Sequence, residues 1–184
     1  MRFYPVLLDL KDKPCCVIGG GAVAERKART LVSCGARVTV VSPRVTPGIC
    51  RLVSSGKAAH VRALFRPALL KGFFLAVAAT DDPAANAAVS AWALRRSMLV
   101  NVVDVPAQSN FIVPSSISRG GLILSISTSG KAPCLARRIR LDLEKEFVPR
   151  YASQLKAVGK ARRALKKSVA DPAQRRRIMN RLVL

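Results

Sequence analysis

Acidic residues are scarce in this chain. Ten Asp and Glu stand against 32 Lys and Arg in 184 residues, a formal charge of +22. Such a field repels copies of itself and attracts anions, whether nucleic acid or a small polycarboxylate. There is one histidine, His60, and no set of His, Cys, Asp or Glu stands at metal-ligand spacing. A resident protein metal is therefore not expected, and metal chemistry would have to borrow its ligands from a substrate. The five cysteines, Cys15, Cys16, Cys34, Cys50 and Cys134, are odd in number and scattered. None forms a C-x-x-C pair, which argues against both a zinc site and a disulfide frame and for a reducing cytoplasm. Aromatic residues make up only 5%, and the basic C-terminal stretch has no stacking platform or reading motif, against nucleic acid as partner. No apolar run is long and clean enough to cross a bilayer, and Met1–Pro5 lacks a signal-peptide layout. A cytoplasmic chain with no membrane partner is the expectation.

What the chain does have is a glycine turn in a revealing setting. Half of its residues are apolar, enough for one core of ordinary size plus a small appendage. Pro14–Ile18 is an apolar run of strand length, followed by Gly19-Gly20-Gly21-Ala22-Val23-Ala24. Gly19, Gly21 and Ala24 stand at the G-x-G-x-x-A spacing of a dinucleotide-binding turn. Gly19 permits the tight turn, Gly21 lets backbone approach a pyrophosphate, and Ala24 lets the following helix lie close to the strand. That helix, Ala22–Ser33, points the free N–H groups of Ala22 and Val23 at the anion. Gly35 closes it and Arg37–Val41 forms a second strand, completing a β-α-β unit in about thirty residues.

The pattern then repeats. A helix is expected over Ile49–Ser55, a strand over Ala59–Leu64, a short helix from Pro67, a buried strand over Phe73–Ala79, a helix from Pro83 capped by Asp82, and a fifth strand over Leu99–Val103. This alternation predicts an α/β, Rossmann-like doubly wound parallel sheet. After Pro106 the pattern changes. Ser115–Ser118 and Leu122–Ser127 flank Arg119-Gly120-Gly121 as an antiparallel β-hairpin. A helix follows from Cys134 to Phe147, with Pro149 as its stop. The remainder is helical and basic, and Asp171-Pro172 restarts a last helix. From Arg150 onward eleven cations stand against one acid, Asp171.

Ligands of an open parallel sheet sit beyond the carboxyl ends of its strands. Four segments fall there: Gly19–Val23, Ser42–Arg44, Thr80–Asp82 and Asn101–Asp104. At the second strand an acid usually receives the adenosine ribose, but here Ser42-Pro43-Arg44 stands. Ser42 and the neighbouring backbone can hold the ribose, while Arg44 can receive a 2′-phosphate, so the residues leave NAD and NADP both open. Asp81 is placed to touch the cofactor. Asp104 is the best acid/base candidate, since apolar neighbours at the end of its strand would raise its carboxyl into a useful range. His60 lies away from the crevice and reads as structural. Ser127-Thr128-Ser129-Gly130-Lys131 before a helix reads either as an anion-binding turn or as a well-capped helix start, and Arg137 continues the positive surface.

Five segments carry a resemblance: Gly19–Lys27, Ala79–Asp82, Asn101–Asp104, Phe111–Ser115 and Ser129–Arg137. In that order the chain resembles the precorrin-2 dehydrogenase / sirohydrochlorin ferrochelatase family, the N-terminal module of siroheme synthase, here in its stand-alone form. The likeness implies NAD-dependent oxidation of precorrin-2 to sirohydrochlorin, with ferrous iron insertion as a further step that only some relatives perform. It implies Asp104 as the catalytic aspartate, cofactor contacts at Gly19, Gly21, Ala22, Val23, Ser42, Pro43, Arg44, Thr80 and Asp81, and substrate contacts at Asn101, Thr128, Ser129, Lys131 and Arg137. Thr128 stands where some members carry serine. A homodimer is implied too. It divides the chain into a Rossmann domain (1–110), a dimerisation region (111–148) and a basic helical domain (149–184). A nucleotide-sensing domain without catalysis, or a basic nucleic-acid-binding protein, are the alternatives.

Overall fold

The computed structural model describes residues 3–146 and 148–183. The chain divides after Val113 into two compact units. In the first, five strands pair in parallel: β1 (Pro14–Ile18), β2 (Arg37–Val41), β3 (Ala58–Val61), β4 (Leu75–Ala78) and β5 (Leu99–Val102), in the order β3-β2-β1-β4-β5. Helices α1 (Ala22–Ser33), α2 (Pro47–Ser54) and α3 (Pro83–Leu94) alternate with them. The strand order reverses between β1 and β4, and there the crevice opens. The expected doubly wound sheet is present.

β1 shows why the sheet is buried on both faces. Its alternate side chains point opposite ways. Cys15 and Val17 join Ala24, Ala28, Leu31 and Ile49 in one cluster, while Cys16 and Ile18 join Leu70, Val89, Ala93 and Val100 in the other. Burying a side chain such as Ile18 contributes about 1.5–3 kcal/mol, and these residues admit essentially no solvent. Burial pushes the Cys15 thiol up to about 11 and the Cys16 thiol up to about 12.

Some boundaries differ from the sequence reading. The segment ahead of β4, Pro67–Leu70, is a single 3-10 turn. Helix α2 starts earlier than Ile49, because Thr46 caps it, accepting from the Ile49 N–H, and Pro47 suits the first helical position. β3 stops at Val61, and β4 is confined to Leu75–Ala78. β5 is an edge strand whose free groups are met by the segment just after it. Asn110 Oδ1 accepts from the Val100 N–H at 2.8 Å, its Nδ2 donates to the Met98 carbonyl at 2.8 Å, and buried Ser109 Oγ accepts from the Val102 N–H at 2.9 Å. Side chains thus close an edge that would otherwise invite pairing with another chain.

The second unit opens with an antiparallel hairpin, β6 (Ser115–Arg119) and β7 (Leu122–Ile126). Gly120 and Gly121, with φ of 59° and 91°, make its two-residue turn. Helices α4 (Pro133–Glu146), α5 (Val148–Ser168) and α6 (Pro172–Val183) follow. Phe147, the expected end of the first of these, lies outside the described residues. α4 ends at Glu146, ahead of Pro149, and that proline falls in the first turn of α5, where a missing N–H costs no intrahelical bond. Asp171 caps α6, accepting from the N–H groups of Ala173 and Gln174. Among the described residues of this unit, Ile117 and Ala136 are the only buried apolar side chains. No helix among the described residues is long and apolar enough to cross a membrane.

Candidate functional site: a cleft at the carboxyl ends of the strands

A cleft of about 740 Å³ opens beyond the strand ends of the first unit. Gly19, Gly21, Ala22, Val23, Ser42, Pro43, Arg44, Thr80, Asp81 and Asp104 all line it. Ten residues picked from sequence, on four separate loops, are brought to one place.

The glycine turn forms the floor. Gly19 has φ of 121°, and its N–H donates to the Val41 carbonyl at 2.9 Å. A side chain at Gly19 would strike the Ala79 carbonyl oxygen, and one at Gly20 would strike that of Arg44. Gly20 was missed in the sequence because the fingerprint leaves that position free. Here the neighbouring loop demands it, and its carbonyl accepts from the Thr46 N–H at 3.0 Å. Gly21 differs: an added methyl there meets no protein atom within 4 Å. Packing does not require Gly21, and the space beside it is open cleft. Gly21 also precedes α1, whose N-terminus has no side-chain cap. Uncapped N–H groups and the helix dipole suit this end to an anion such as phosphate.

The β2 side is Ser42-Pro43-Arg44. Buried Ser42 donates its hydroxyl proton to the Arg44 carbonyl at 2.7 Å, so its oxygen can meet a ligand hydroxyl only as an acceptor. Its carbonyl takes the His60 Nε2 at 2.9 Å, giving His60 the structural role expected of it. Arg44 is exposed at the cleft.

The β4 side is Thr80–Asp82. Asn86, which sequence reasoning passed over, ties Thr80 in place. Its Oδ1 lies 3.2 Å from the Thr80 N–H and 2.9 Å from its hydroxyl, and its Nδ2 donates to the Thr80 carbonyl at 2.9 Å. Asp82 caps α3 through the Ala84 N–H at 2.8 Å, as expected. Asp81 is exposed at the cleft.

Asp104 sits at the rim in a tight turn closed by the Val105 N–H on the Val102 carbonyl, with φ of 61°. Asp tolerates this left-handed conformation better than most residues. Ser109, whose hydroxyl is 3.1 Å from the Val105 carbonyl, anchors the turn. The apolar enclosure expected around Asp104 is not there: it is exposed within the chain. Lys27 of α1 is its electrostatic neighbour. That half-buried ammonium is lowered from its ordinary value, first by burial and then by Arg26, with Asp104 pulling the other way.

Asn101 departs from expectation. It is buried, does not line the cleft, and its amide donates to the Phe111 carbonyl at 3.2 Å, which holds the segment after β5. Thr128, Ser129, Lys131 and Arg137 belong to the second unit. There the Thr128 hydroxyl accepts from the Ala132 N–H at 3.1 Å ahead of α4, so capping is realised at that turn. Lys131 and Arg137 are exposed and enter no ion pair among the described residues, whereas Arg138 and Arg140 pair with Asp142 and Glu144. Among the described residues no three His, Cys, Asp or Glu gather to hold a metal ion.

The arrangement can bind a pyrophosphate between strand ends, with the exposed carboxylates of Asp81 and Asp104 beside it and Asp82 engaged as a helix cap. Residues 6–115 match a family described as "Putative NAD(P)-binding". The chain is 43% identical over 184 residues to siroheme synthase 1 of Aeromonas salmonicida, covering 100% of the chain and 39% of that protein. It is 40% identical over 176 residues to siroheme synthase of Methylobacillus flagellatus, covering 96% of the chain and 38% of that protein. The chain thus spans well under half the length of these curated relatives. A solved structure of SirC, precorrin-2 dehydrogenase, superposes with a TM-score of 0.87 at 28% identity, covering 99% of the chain and 90% of SirC.

Proposed function

The chain belongs to the NAD(P)-binding family, and from that premise we propose that it oxidises precorrin-2 to sirohydrochlorin with NAD as coenzyme. One observation carries the reading: the carboxylate of Asp104 stands on the rim of the same cleft whose floor is the uncapped start of α1. A cleft that only sensed nucleotide would need no such group.

The cleft residues suit the coenzyme. Open space beside Gly21 and the free N–H groups of Ala22 and Val23 receive the pyrophosphate. Ser42 and the Pro43–Arg44 backbone receive the adenosine ribose, and Thr80 and Asp81 line the β4 side. When bound, the nicotinamide supplies a hydride acceptor. Removing a hydride from the substrate also leaves a proton to be shed, and an Asp104 carboxylate oxygen takes it. Ser109 fixes the backbone turn that carries Asp104. In the second unit, Thr128, Ser129, Lys131 and Arg137 offer hydroxyls and cations of the kind that carboxylates fringing a tetrapyrrole would meet. Asn101 serves by holding the segment that follows β5.

The reading extends to ferrous iron as a second substrate. The macrocycle's nitrogens are then the ligands, and Asp104 accepts the pyrrole protons that the metal displaces. It extends also to a cytoplasmic homodimer. The exposed apolar residues of 114–183, Ile123, Leu135 and Leu141 among them, support a surface that a second copy covers.

Anaerobic incubation with precorrin-2 and either NAD or NADP, followed by absorbance, tests the proposal. The sirohydrochlorin spectrum and reduced coenzyme should appear together, faster with NAD. Addition of ferrous ion should then convert the spectrum again. No oxidation with either coenzyme overturns the reading.

A further inference from the structure

The loop Ser42–Thr46 walls the coenzyme cleft on the β2 side, yet it belongs to no helix or strand. One carboxylate ties it to α1 alongside a backbone contact. Thr46 donates its hydroxyl to Glu25 Oε2 at 2.6 Å while its N–H donates to the Gly20 carbonyl at 3.0 Å. The other Glu25 oxygen accepts from Arg29 Nε at 2.8 Å and lies 2.7 Å from Arg29 Nη2. Gly48, just beyond the loop, packs so near that a methyl there would strike the Glu25 carboxylate. The carboxyl is held below the usual carboxylate range, first by the Thr46 hydroxyl and then by Arg29.

Glu25 lies one helical turn after Gly21, and its N–H donates to the Gly21 carbonyl at 2.9 Å. The helix that presents its N-terminus to the pyrophosphate therefore also carries the group that grips the adenosine-side loop. Two features argue against a solvated surface acid. Both carboxylate oxygens are engaged, by donors on different elements. The Thr46 hydroxyl, although Thr46 lines the cleft, is turned to Glu25 rather than left for a ligand.

We propose that Glu25 is a positioning residue for coenzyme binding: by holding Thr46 it fixes the Ser42–Arg44 wall at the distance from the α1 N-terminus that a dinucleotide must span. The proposal rests on the reading of this cleft as a nicotinamide-coenzyme site. Glu25 touches neither the substrate nor the reacting atoms, so its loss appears in affinity and not in chemistry.

The test titrates NAD into wild-type protein and the variants Glu25→Ala, Glu25→Gln, Thr46→Val and Thr46→Ser, then measures turnover of each. A hydrogen bond to a charged group typically corresponds to about tenfold in affinity. Glu25→Ala and Thr46→Val should each weaken NAD binding about that much, with kcat at saturating NAD within about twofold of wild type. Glu25→Gln and Thr46→Ser should recover most of the affinity, since an amide oxygen still accepts and a serine hydroxyl still donates. The Glu25→Ala/Thr46→Val double variant should bind little worse than either single one. Should Glu25→Ala fail to fold, the two Thr46 variants decide alone. NAD binding unchanged in Glu25→Ala or Thr46→Val, or a fall in kcat at unchanged KM, overturns the proposal. Wild-type protein that binds neither NAD nor NADP sinks the coenzyme reading itself, and this proposal with it.

Discussion

The two units use their residues in opposite ways. Residues 3–113 bury both faces of a parallel sheet and place β1 among side chains with almost no exposure. Residues 114–183 bury, among those described, only Ile117 and Ala136, and leave Leu135, Leu141, Leu155 and Leu182 open to solvent. Charge leans the same way, with 15 cations against six acids up to Val113 and 17 against four from Pro114 onward. A coenzyme needs loops held to within a fraction of an ångström, which requires a packed platform. An acidic macrocycle and a second copy of the chain need accessible surface. The contrast is what the proposed activity asks of each part.

The sharpest way to break this contrast is a glycine substitution in each unit. Gly19→Val forces a β-branched residue to φ of 121° and into the Ala79 carbonyl. It should abolish NAD binding and lower stability to urea by about 3 kcal/mol or more. Gly120→Ala meets nothing within 4 Å and strains only the backbone, at φ of 59°. It should cost about 1 kcal/mol and spare NAD binding. Equal losses would mean that the first unit is no more tightly built than the second.

Salt sharpens the comparison next. Association of the polycarboxylate substrate should weaken steeply as ionic strength rises, because exposed cations are screened beyond about 10 Å at 0.1 M salt. NAD affinity, carried by short contacts in the cleft, should fall much less. Stopped-flow association rates and NAD titrations across a salt series measure both. A substrate rate that ignores salt would remove the basic surface from the account.

The smallest expected effect lies in the thiols. Cys15 and Cys16 are buried, with thiols pushed up to about 11 and about 12, whereas Cys34, Cys50 and Cys134 are exposed. Native protein at mildly alkaline pH should therefore take an alkylating label at the latter three and at all five once unfolded, by intact mass. The linkage has a definite sign. Unfolding lets Cys15 and Cys16 return to the ordinary value of 9.0, so the unfolded chain loses those protons first. The stability that depends on them is complete below that pH and declines as pH rises from there towards 11 and 12. Rapid native labelling of Cys15 would show that β1 opens readily.

Much of this was legible in the sequence, and the reasons are local. The glycine spacing, the run Pro14–Ile18 and the turn Asp82-Pro83 specify their own conformations, so β1, α1 and the α3 cap emerged in place. Asp104 stood out because acids are so few. What escaped depends on particular side-chain and backbone contacts that only the folded loops create. Gly20 is fixed by Arg44, Thr80 by Asn86, and the Asp104 turn by Ser109, and none of these pairs leaves a mark in local pattern. The start of α2 was missed although Thr46-Pro47 is a cap followed by a helix-starting proline, because Pro43 and Pro47 together read as loop. Asn101 was misplaced by treating the strand end as uniformly open, when its side chain is buried and reaches the Phe111 carbonyl.

In the proposed reaction the Asp104 carboxylate takes the substrate's proton beside the coenzyme. Asp104→Asn keeps the shape of the side chain and removes the base, so single-turnover oxidation of precorrin-2 by NAD-saturated protein measures that step. NAD affinity should stay within about twofold of wild type, and the rate should fall at least about 100-fold. A variant that oxidises precorrin-2 at the wild-type rate would contradict that role for Asp104.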